Sequence, residues 1–295
     1  MSLPGDLARR LVEAGLDPLY VEDLLRAAVE EDLASGVDVT SEATIPREQQ
    51  ATGDLVARAD GVVAGLAVAE AVFVCSSDAP LDIASAVTDG DTATAGTALM
   101  AVAGPTRALL LAERTALNLL CHLSGIATAT RRWVDALAGT RAVVRDTRKT
   151  TPLLRPLEKY AVRCGGGENH RMSLSDAALI KDNHVLAAGG ITAAYRDVTQ
   201  AFPDVPVEIE VDSVDGAVEA ASAGAELILL DNFTPPEVAQ AVKAVGGRSK
   251  LEVSGGLTIY AARSYGETGV DYLAVGAITH SAPVLDIAFD LREVR

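Results

Sequence analysis

Along the second half of the chain short apolar runs recur, each ending at a polar residue or a glycine. Ala142 to Val144 ends near Asp146, Ala177 to Ile180 at Lys181, and Val205 to Ile209 at Glu210. Leu227 to Leu230 ends at Asp231, Leu251 to Val253 at Ser254, and Tyr272 to Val275 at Gly276. Runs this short and this apolar predict parallel strands buried on both faces. Helical spacing predicts helices between them, from Ile191 to Phe202, Ser213 to Ala223, Pro235 to Val245 and Thr258 to Thr268, with Ser213, Thr234 and Thr258 as N-caps. The last three strand ends are 23 and 22 residues apart, one β/α unit each.

Strands alternating with helices build either an open doubly wound sheet or a β/α barrel. Neither G-x-G-x-x-G nor G-x-x-x-x-G-K-[ST] follows any of these strands, which removes the nucleotide-binding fingerprints of open sheets and favours the barrel. In such a barrel the site lies at the C-terminal strand ends, and glycine-rich loops after the last strands often hold phosphate. Ser254-Gly255-Gly256 and Val275-Gly276-Ala277 stand at those places.

The first part reads differently. Leu7 to Asp32 predicts an amphipathic helix, Ala51 to Ala59 a strand and Ala64 to Cys75 a helix. Asp89-Gly90-Asp91 and Ala95-Gly96-Thr97 read as turns of a hairpin pair. A long helical stretch follows from Thr106 to Leu137, broken around Ser124-Gly125. The expected organisation is an N-terminal domain over 1–116, a barrel domain over 117–282 and a segment 283–295 that returns to the first domain.

With 295 residues, 49% of them hydrophobic, the chain can bury a large core. Its longest stretch without a charge, Thr115 to Thr130, is interrupted by Asn118, His122 and Ser124, so no membrane span is expected. No apolar segment of a secretory signal follows the first residues, and Cys75, Cys121 and Cys164 lack C-x-x-C spacing. Reduced thiols and a cytoplasmic location are expected. A formal charge of -16 argues against nucleic acid or an anionic membrane as partner.

One segment opposes that charge. From Arg141 to Arg171 eight basic residues (Arg141, Arg145, Arg148, Lys149, Arg155, Lys159, Arg163, Arg171) face three acids (Asp146, Glu158, Glu168), a local balance of +5. A charge run is ordinarily a solvated helix face. Here the cations are interleaved with Thr-Pro, Gly-Gly-Gly and Asn-His, poor helix interior, which points to a site for a small polyanion. Arg148, Lys149, Arg171, Lys181, Glu210 and Asp231 would converge on one barrel mouth. Cations suit carboxylate and diphosphate groups, and Glu210 with Asp231 suits hydrated Mg²⁺.

His122, His170, His184 and His280 show no metal-binding spacing. His170, between Asn169 and Arg171, reads as a donor to an anion, and His280, just past the last glycine loop, as a donor to phosphate. Cys164 as a thiol nucleophile and Lys181 as a Schiff-base lysine are lesser readings, the first for want of an oxyanion-hole element.

The segments Arg145-Asp-Thr-Arg-Lys-Thr-Thr-Pro, Leu157-Glu-Lys-Tyr-Ala-Val-Arg-Cys-Gly-Gly-Gly-Glu-Asn-His-Arg and Leu179-Ile-Lys-Asp-Asn-His resemble the quinolinate phosphoribosyltransferase family. Glu208-Ile-Glu-Val-Asp, Leu230-Asp-Asn-Phe, Glu252-Val-Ser-Gly-Gly and Val275-Gly-Ala-Ile-Thr-His-Ser continue the match in order. Glu113-Arg-Thr-Ala-Leu-Asn and Ser124-Gly-Ile-Ala-Thr extend it forward. The resemblance implies an α/β protein with an N-terminal α/β sandwich and an incomplete β/α barrel, a type II phosphoribosyltransferase assembled at least as a homodimer with sites shared between subunits. It implies that quinolinate and phosphoribosyl pyrophosphate give nicotinate mononucleotide, pyrophosphate and CO₂, with Mg²⁺ as cofactor.

By motif position, Arg148, His170, Arg171 and Lys181 would hold the pyridine dicarboxylate, with Arg114 reaching in from the neighbouring subunit. Thr147 and Lys149 would line the junction with the diphosphate, with Lys149 and Lys181 acting beside the leaving group and the acceptor. Glu210 and Asp231 would face the ribose and Mg²⁺. The loops Ser254, Gly255, Gly256 and Val275, Gly276, Ala277, with His280, would take the 5′-phosphate. Leu153 and Ser173 occupy places that the family pattern often gives to glycine, which bears on the local loop backbone. The rivals are a phosphoribosyltransferase of the same fold acting on another acceptor and a catalytically silent phosphate-binding barrel.

Overall fold

Helices α1 (Gly5–Glu13), α2 (Pro18–Leu33) and α3 (Val39–Thr44) open the chain in the computed structural model, which describes residues 3–294. The single helix expected from Leu7 to Asp32 is therefore two. Gly15 turns left-handed at φ 74°, and the chain restarts at Pro18 with Asp17 accepting a hydrogen bond from Leu19 N–H at 2.9 Å. Proline at the first helical position favours such a restart.

Strands β1 (Gln50–Ala57) and β2 (Gly61–Val62) precede α4 (Leu66–Cys75), and β3 (Asp82–Ser85), β4 (Thr92–Ala93) and β5 (Ala98–Pro105) precede the long α5 (Thr106–Ala136). No break occurs at Ser124-Gly125. The pair is a packing device: Ser124 Oγ accepts from Ala64 N–H at 3.0 Å, and a side chain on Gly125 would sit 2.2 Å from the Pro283 carbonyl oxygen.

The chain goes on through β6 (Val143–Arg145), α6 (Arg155–Cys164), β7 (Ala178–Ile180), α7 (Asp182–Ala188), α8 (Ile191–Ala201), β8 (Val207–Val211) and α9 (Val214–Ser222). Then come β9 (Leu227–Asp231), α10 (Pro235–Val245), β10 (Lys250–Ser254), α11 (Ala262–Gly266), β11 (Tyr272–Ala274), α12 (Ala277–His280) and β12 (Ile287–Val294). Ser213 accepts from Gly216 N–H at 3.2 Å as an N-cap, and Glu237 takes both the N–H and the hydroxyl of Thr234. Thr258 makes no side-chain cap; a 3₁₀ turn over Ile259–Ala261 precedes the short α11.

Two compact units result. The first takes the chain up to Ala129, Pro156–Gly165 and the chain from Ala282 onward. Its antiparallel sheet runs β12-β1-β5-β3, and β1 buries every second residue, Ala51, Gly53, Leu55 and Ala57. Phe73 of α4 meets Phe289 of β12 at 5.8 Å between ring centroids. The unit boundary at Ala129 and the expected one near Ala116 both lie on α5.

The second unit, Thr130–Arg155 and Gly166–Ser281, holds six parallel strands in the order β6-β11-β10-β9-β8-β7. Five are sequential and β6 lies beyond β11, so the sheet opens between β6 and β7: an incomplete β/α barrel. A single parallel bridge from Arg145 to Glu168 lies in that opening. Among the described residues no helix is long and apolar enough to cross a membrane.

Candidate active site

Strand register decides which side chains meet. Glu210 lies opposite Leu229, Leu229 opposite Glu252, and Asp231 opposite Ser254. Because side chains alternate along a strand, Glu208 and Glu210, Asp231, and Glu252 and Ser254 all face the same side of the sheet. Lys181 follows β7 and begins α7, its N–H donating to His184 Nδ1 at 3.0 Å. Its ammonium lies 2.9 Å from Glu210 Oε2.

Arg148, Arg171, Lys181 and His184 line one cavity of about 730 Å³, whose other wall is apolar, with Ile180 and Phe202. Arg171 donates to the Ala177 carbonyl at 3.0 Å, and burial together with the Arg148 charge lowers its pKa. Among the described residues Arg148 Nε is buried without a hydrogen-bond partner. Two guanidinium groups lining one cavity, with that of Arg171 destabilised by the Arg148 charge, favour an anion.

Asp231 is held by its neighbour. Asn232 adopts a left-handed φ of 58°, donates its N–H to the Ser254 carbonyl at 2.9 Å and its amide to Asp231 Oδ2 at 2.8 Å. Gly255, left-handed at φ 94°, packs against that amide. Thr147 accepts from Lys149 N–H at 3.0 Å, and the Lys149 carbonyl accepts from Thr279 at 2.8 Å. A side chain on Gly276 would lie 3.0 Å from the Lys149 stem and 3.3 Å from the His280 ring, so glycine there lets both approach one loop. His280 Nδ1 lies 2.6 Å from Ser281 Oγ. Val275 donates to the Arg145 carbonyl at 2.9 Å, and Ala277 starts the four-residue α12.

One layer deeper lies a network that the sequence reading did not single out. His170 Nε2 is 2.5 Å from Glu208 Oε2 and 3.6 Å from Glu252 Oε1, and Arg145 donates to Glu252 Oε2 at 3.0 Å. The buried Asp146 accepts from His170 N–H at 2.8 Å and from the Asn169 amide at 2.6 Å. Burial alone would lower the His170 pKa, but its hydrogen bond to Glu208 and the charges of Glu252 and Glu208 outweigh that and raise it. Burial pushes the Glu252 carboxyl up, and the Glu208 charge adds to the effect. His170, Glu208 and Glu252 have the spacing of a cation site, yet the Arg145 guanidinium already stands against Glu252. A period of two from Glu210 to Glu208 and from Ser254 to Glu252 was the available signal.

The cationic run does not act as one group. Arg155 begins helix α6, where no helix was expected; Lys159 on it is fully buried, and Arg163 donates to the Ala14 carbonyl at 2.6 Å, within the first unit. Arg141 pairs with Asp271 at 3.3 Å. Arg148, Lys149 and Arg171 remain for the strand ends. Arg114 is exposed on α5, in the first unit. Burial pushes the Cys164 thiol up to about 11, with Asp89 adding to it, the opposite of an activated nucleophile. His122 lies 2.8 Å from the buried Glu158 within the first unit.

Leu153 does adopt a left-handed φ, 67°, and is exposed. Ser173 does not require glycine: its N–H and hydroxyl bond Asp176 at 3.0 and 3.2 Å.

Residues 38–124 match the model of the quinolinate phosphoribosyl transferase N-terminal domain, and residues 126–290 that of its C-terminal domain. The chain is 50% identical to nicotinate-nucleotide pyrophosphorylase (carboxylating) of Mycobacterium leprae, over 91% of this chain and 96% of that one. It is 40% identical to the probable enzyme of the same name from Bacillus subtilis, over 94% and 95%. The solved structure of NadC from Streptococcus pyogenes superposes with a TM-score of 0.89 at 42% identity, covering 95% of this chain and 98% of that one. With both domains matched in order and relatives at this identity, the chain belongs to the quinolinate phosphoribosyltransferase family.

Proposed function

We propose that this protein transfers the phosphoribosyl group of phosphoribosyl pyrophosphate to quinolinate with loss of CO₂, giving nicotinate mononucleotide and pyrophosphate for de novo NAD synthesis. The observation that carries the reading is the meeting of Arg148, Arg171 and Lys181 on one cavity, with Glu210 and Asp231 on the adjoining strand ends. That set supplies cations for a dicarboxylate beside carboxylates for an electron-poor ribose.

In this reading Arg148, Arg171, His170 and Lys181 bind and orient the quinolinate carboxylates, bringing the pyridine nitrogen to the anomeric carbon. Orientation of this kind removes much of the entropic barrier to a two-substrate step. The anomeric C–O bond breaks towards pyrophosphate while the C–N bond forms. Glu210 and Asp231 stabilise the positive charge that develops on the ribose, and Lys149 the negative charge on the departing diphosphate. The pyridinium then takes the electron pair of the breaking C–CO₂ bond, and a proton replaces CO₂ at that carbon. No side-chain nucleophile is needed. The loops at Ser254, Gly255 and Gly256 and at Val275, Gly276 and Ala277, with His280, hold the 5′-phosphate.

Mg²⁺ fits the donor set: two strand-end carboxylates, one oriented by Asn232, match its preference for few protein oxygens plus substrate phosphate. When bound it supplies charge neutralisation at the diphosphate. Arg114 acts from the neighbouring subunit of a homodimer or higher homo-oligomer, and the protein works in the cytoplasm, its three thiols unpaired.

A steady-state assay with both substrates tests the proposal. Release of CO₂ and nicotinate mononucleotide is expected; turnover only with another acceptor, or binding without turnover, would replace it with one of the two rivals.

A further inference from the structure

Beneath the strand-end residues two glutamates converge on one histidine, Glu208 from β8 and Glu252 from β10, both almost wholly buried. We propose that Glu252, together with Glu208, is a positioning residue for substrate recognition: the pair holds the His170 ring and keeps it an imidazolium whose charge meets a substrate carboxylate. The inference rests on the quinolinate reading above.

The geometry fixes the residue at its backbone and at one ring nitrogen. Its backbone N–H is tied to Asp146 at 2.8 Å, while Nε2 points at Glu208, 2.5 Å away, with Glu252 Oε1 at 3.6 Å. The charged groups facing it are Arg145 and Asp146 from β6 and the segment after it, Glu208 from β8 and Glu252 from β10; Arg148 and Arg171 line the neighbouring cavity, whose lining does not include His170 itself. Arg145 compensates one glutamate, donating to Glu252 from a position 4.2 Å above the Tyr272 ring.

The second carboxylate needs another positive charge, because an uncompensated buried carboxylate costs several kcal/mol. Acceptors also outnumber donors here: among the described residues Glu208 Oε1 and Glu252 Oε1 are buried without a hydrogen-bond partner. With Asp146 counted, a proton on His170 takes the set of three carboxylates, one arginine and one histidine from -2 to -1. The raised His170 pKa agrees with this.

The consequence is specific to quinolinate. Arginine and lysine stay charged at any working pH, whereas histidine ordinarily loses its charge near neutrality. A group whose pKa is raised keeps its proton, and with it the binding of a dianion, until pH climbs through the raised value. The glutamates therefore extend quinolinate affinity towards alkaline pH.

Proton NMR and kinetics test this together. The His170 ring resonance is assigned by its loss in His170→Asn, which separates it from His122, His184 and His280. In the wild type it should stay at the protonated position above the pH at which an ordinary histidine loses its charge, and in Glu252→Gln it should titrate at lower pH than in the wild type. The variant's KM for quinolinate at about pH 8 should rise roughly tenfold, while its KM for phosphoribosyl pyrophosphate stays unchanged. A wild-type His170 that titrates as an ordinary histidine overturns the proposal, and so does a folded variant with an unaltered KM for quinolinate. If Glu252→Gln does not fold, the wild-type titration decides alone. The NMR needs no turnover, so an enzyme inactive on quinolinate would remove the functional reading while the hold on His170 is still judged.

Discussion

The Lys181 ammonium lies 2.9 Å from the Glu210 carboxylate, across neighbouring strands β7 and β8 at their C-terminal ends. The pair is half open: Lys181 is 49% exposed and Glu210 14%. Such an exposed pair contributes little to stability. Its value is positional, since it sets a cation for the dicarboxylate beside a carboxylate for the ribose.

Lys181→Ala should therefore leave the fold intact and lower turnover by about 10²-fold or more, the usual loss for one preorganised electrostatic contact. Lys149→Ala should behave alike, because Lys149, whose stem sits against the Gly276 loop, is the cation proposed beside the departing diphosphate. Near-normal turnover at saturating quinolinate in either variant would remove that residue's role.

Glu210→Gln and Asp231→Asn should weaken the Mg²⁺ dependence and slow bond breaking while leaving quinolinate binding largely unchanged. Calorimetric titration with quinolinate is the check. Equal collapse of its binding would assign these carboxylates to the architecture of the strand ends.

Arg114 is tested by mixing subunits. Arg114→Ala keeps an intact barrel but donates no arginine, whereas Lys149→Ala has a silent barrel but still donates one. Verified heterodimers should regain one complete site, about half of wild-type activity per dimer in a symmetric assembly. Heterodimers as inactive as both parents would show that Arg114 does not act across subunits.

Leu153→Gly should stabilise the protein. A left-handed leucine costs about 1–2 kcal/mol and the added freedom of an unfolded glycine about 0.5–1 kcal/mol, so a net gain near 1 kcal/mol is expected. The measurement is the thermal midpoint, and a fall would mean that the leucine side chain contributes more than its backbone strain costs.

The sequence by itself determined the elements whose pattern is local. Six apolar runs became six parallel strands, each ending within two residues of the polar residue or glycine that closes it, because alternation, length and flanking turns are written in neighbouring residues. Family motifs likewise marked the strand-end cations and carboxylates. Where a distant segment supplies the partner, local pattern misleads. Ser124-Gly125 reads as a break but is filled by Ala64 and Pro283, and Leu7 to Asp32 reads as one helix because its apolar spacing carries across the turn at Gly15. Only the tertiary structure decided that Glu208 and Glu252, more than forty residues apart in sequence, share one histidine. A buried charge is tolerable only beside its counter-charge, and which residues become neighbours is settled by strand order and register, which no local pattern encodes.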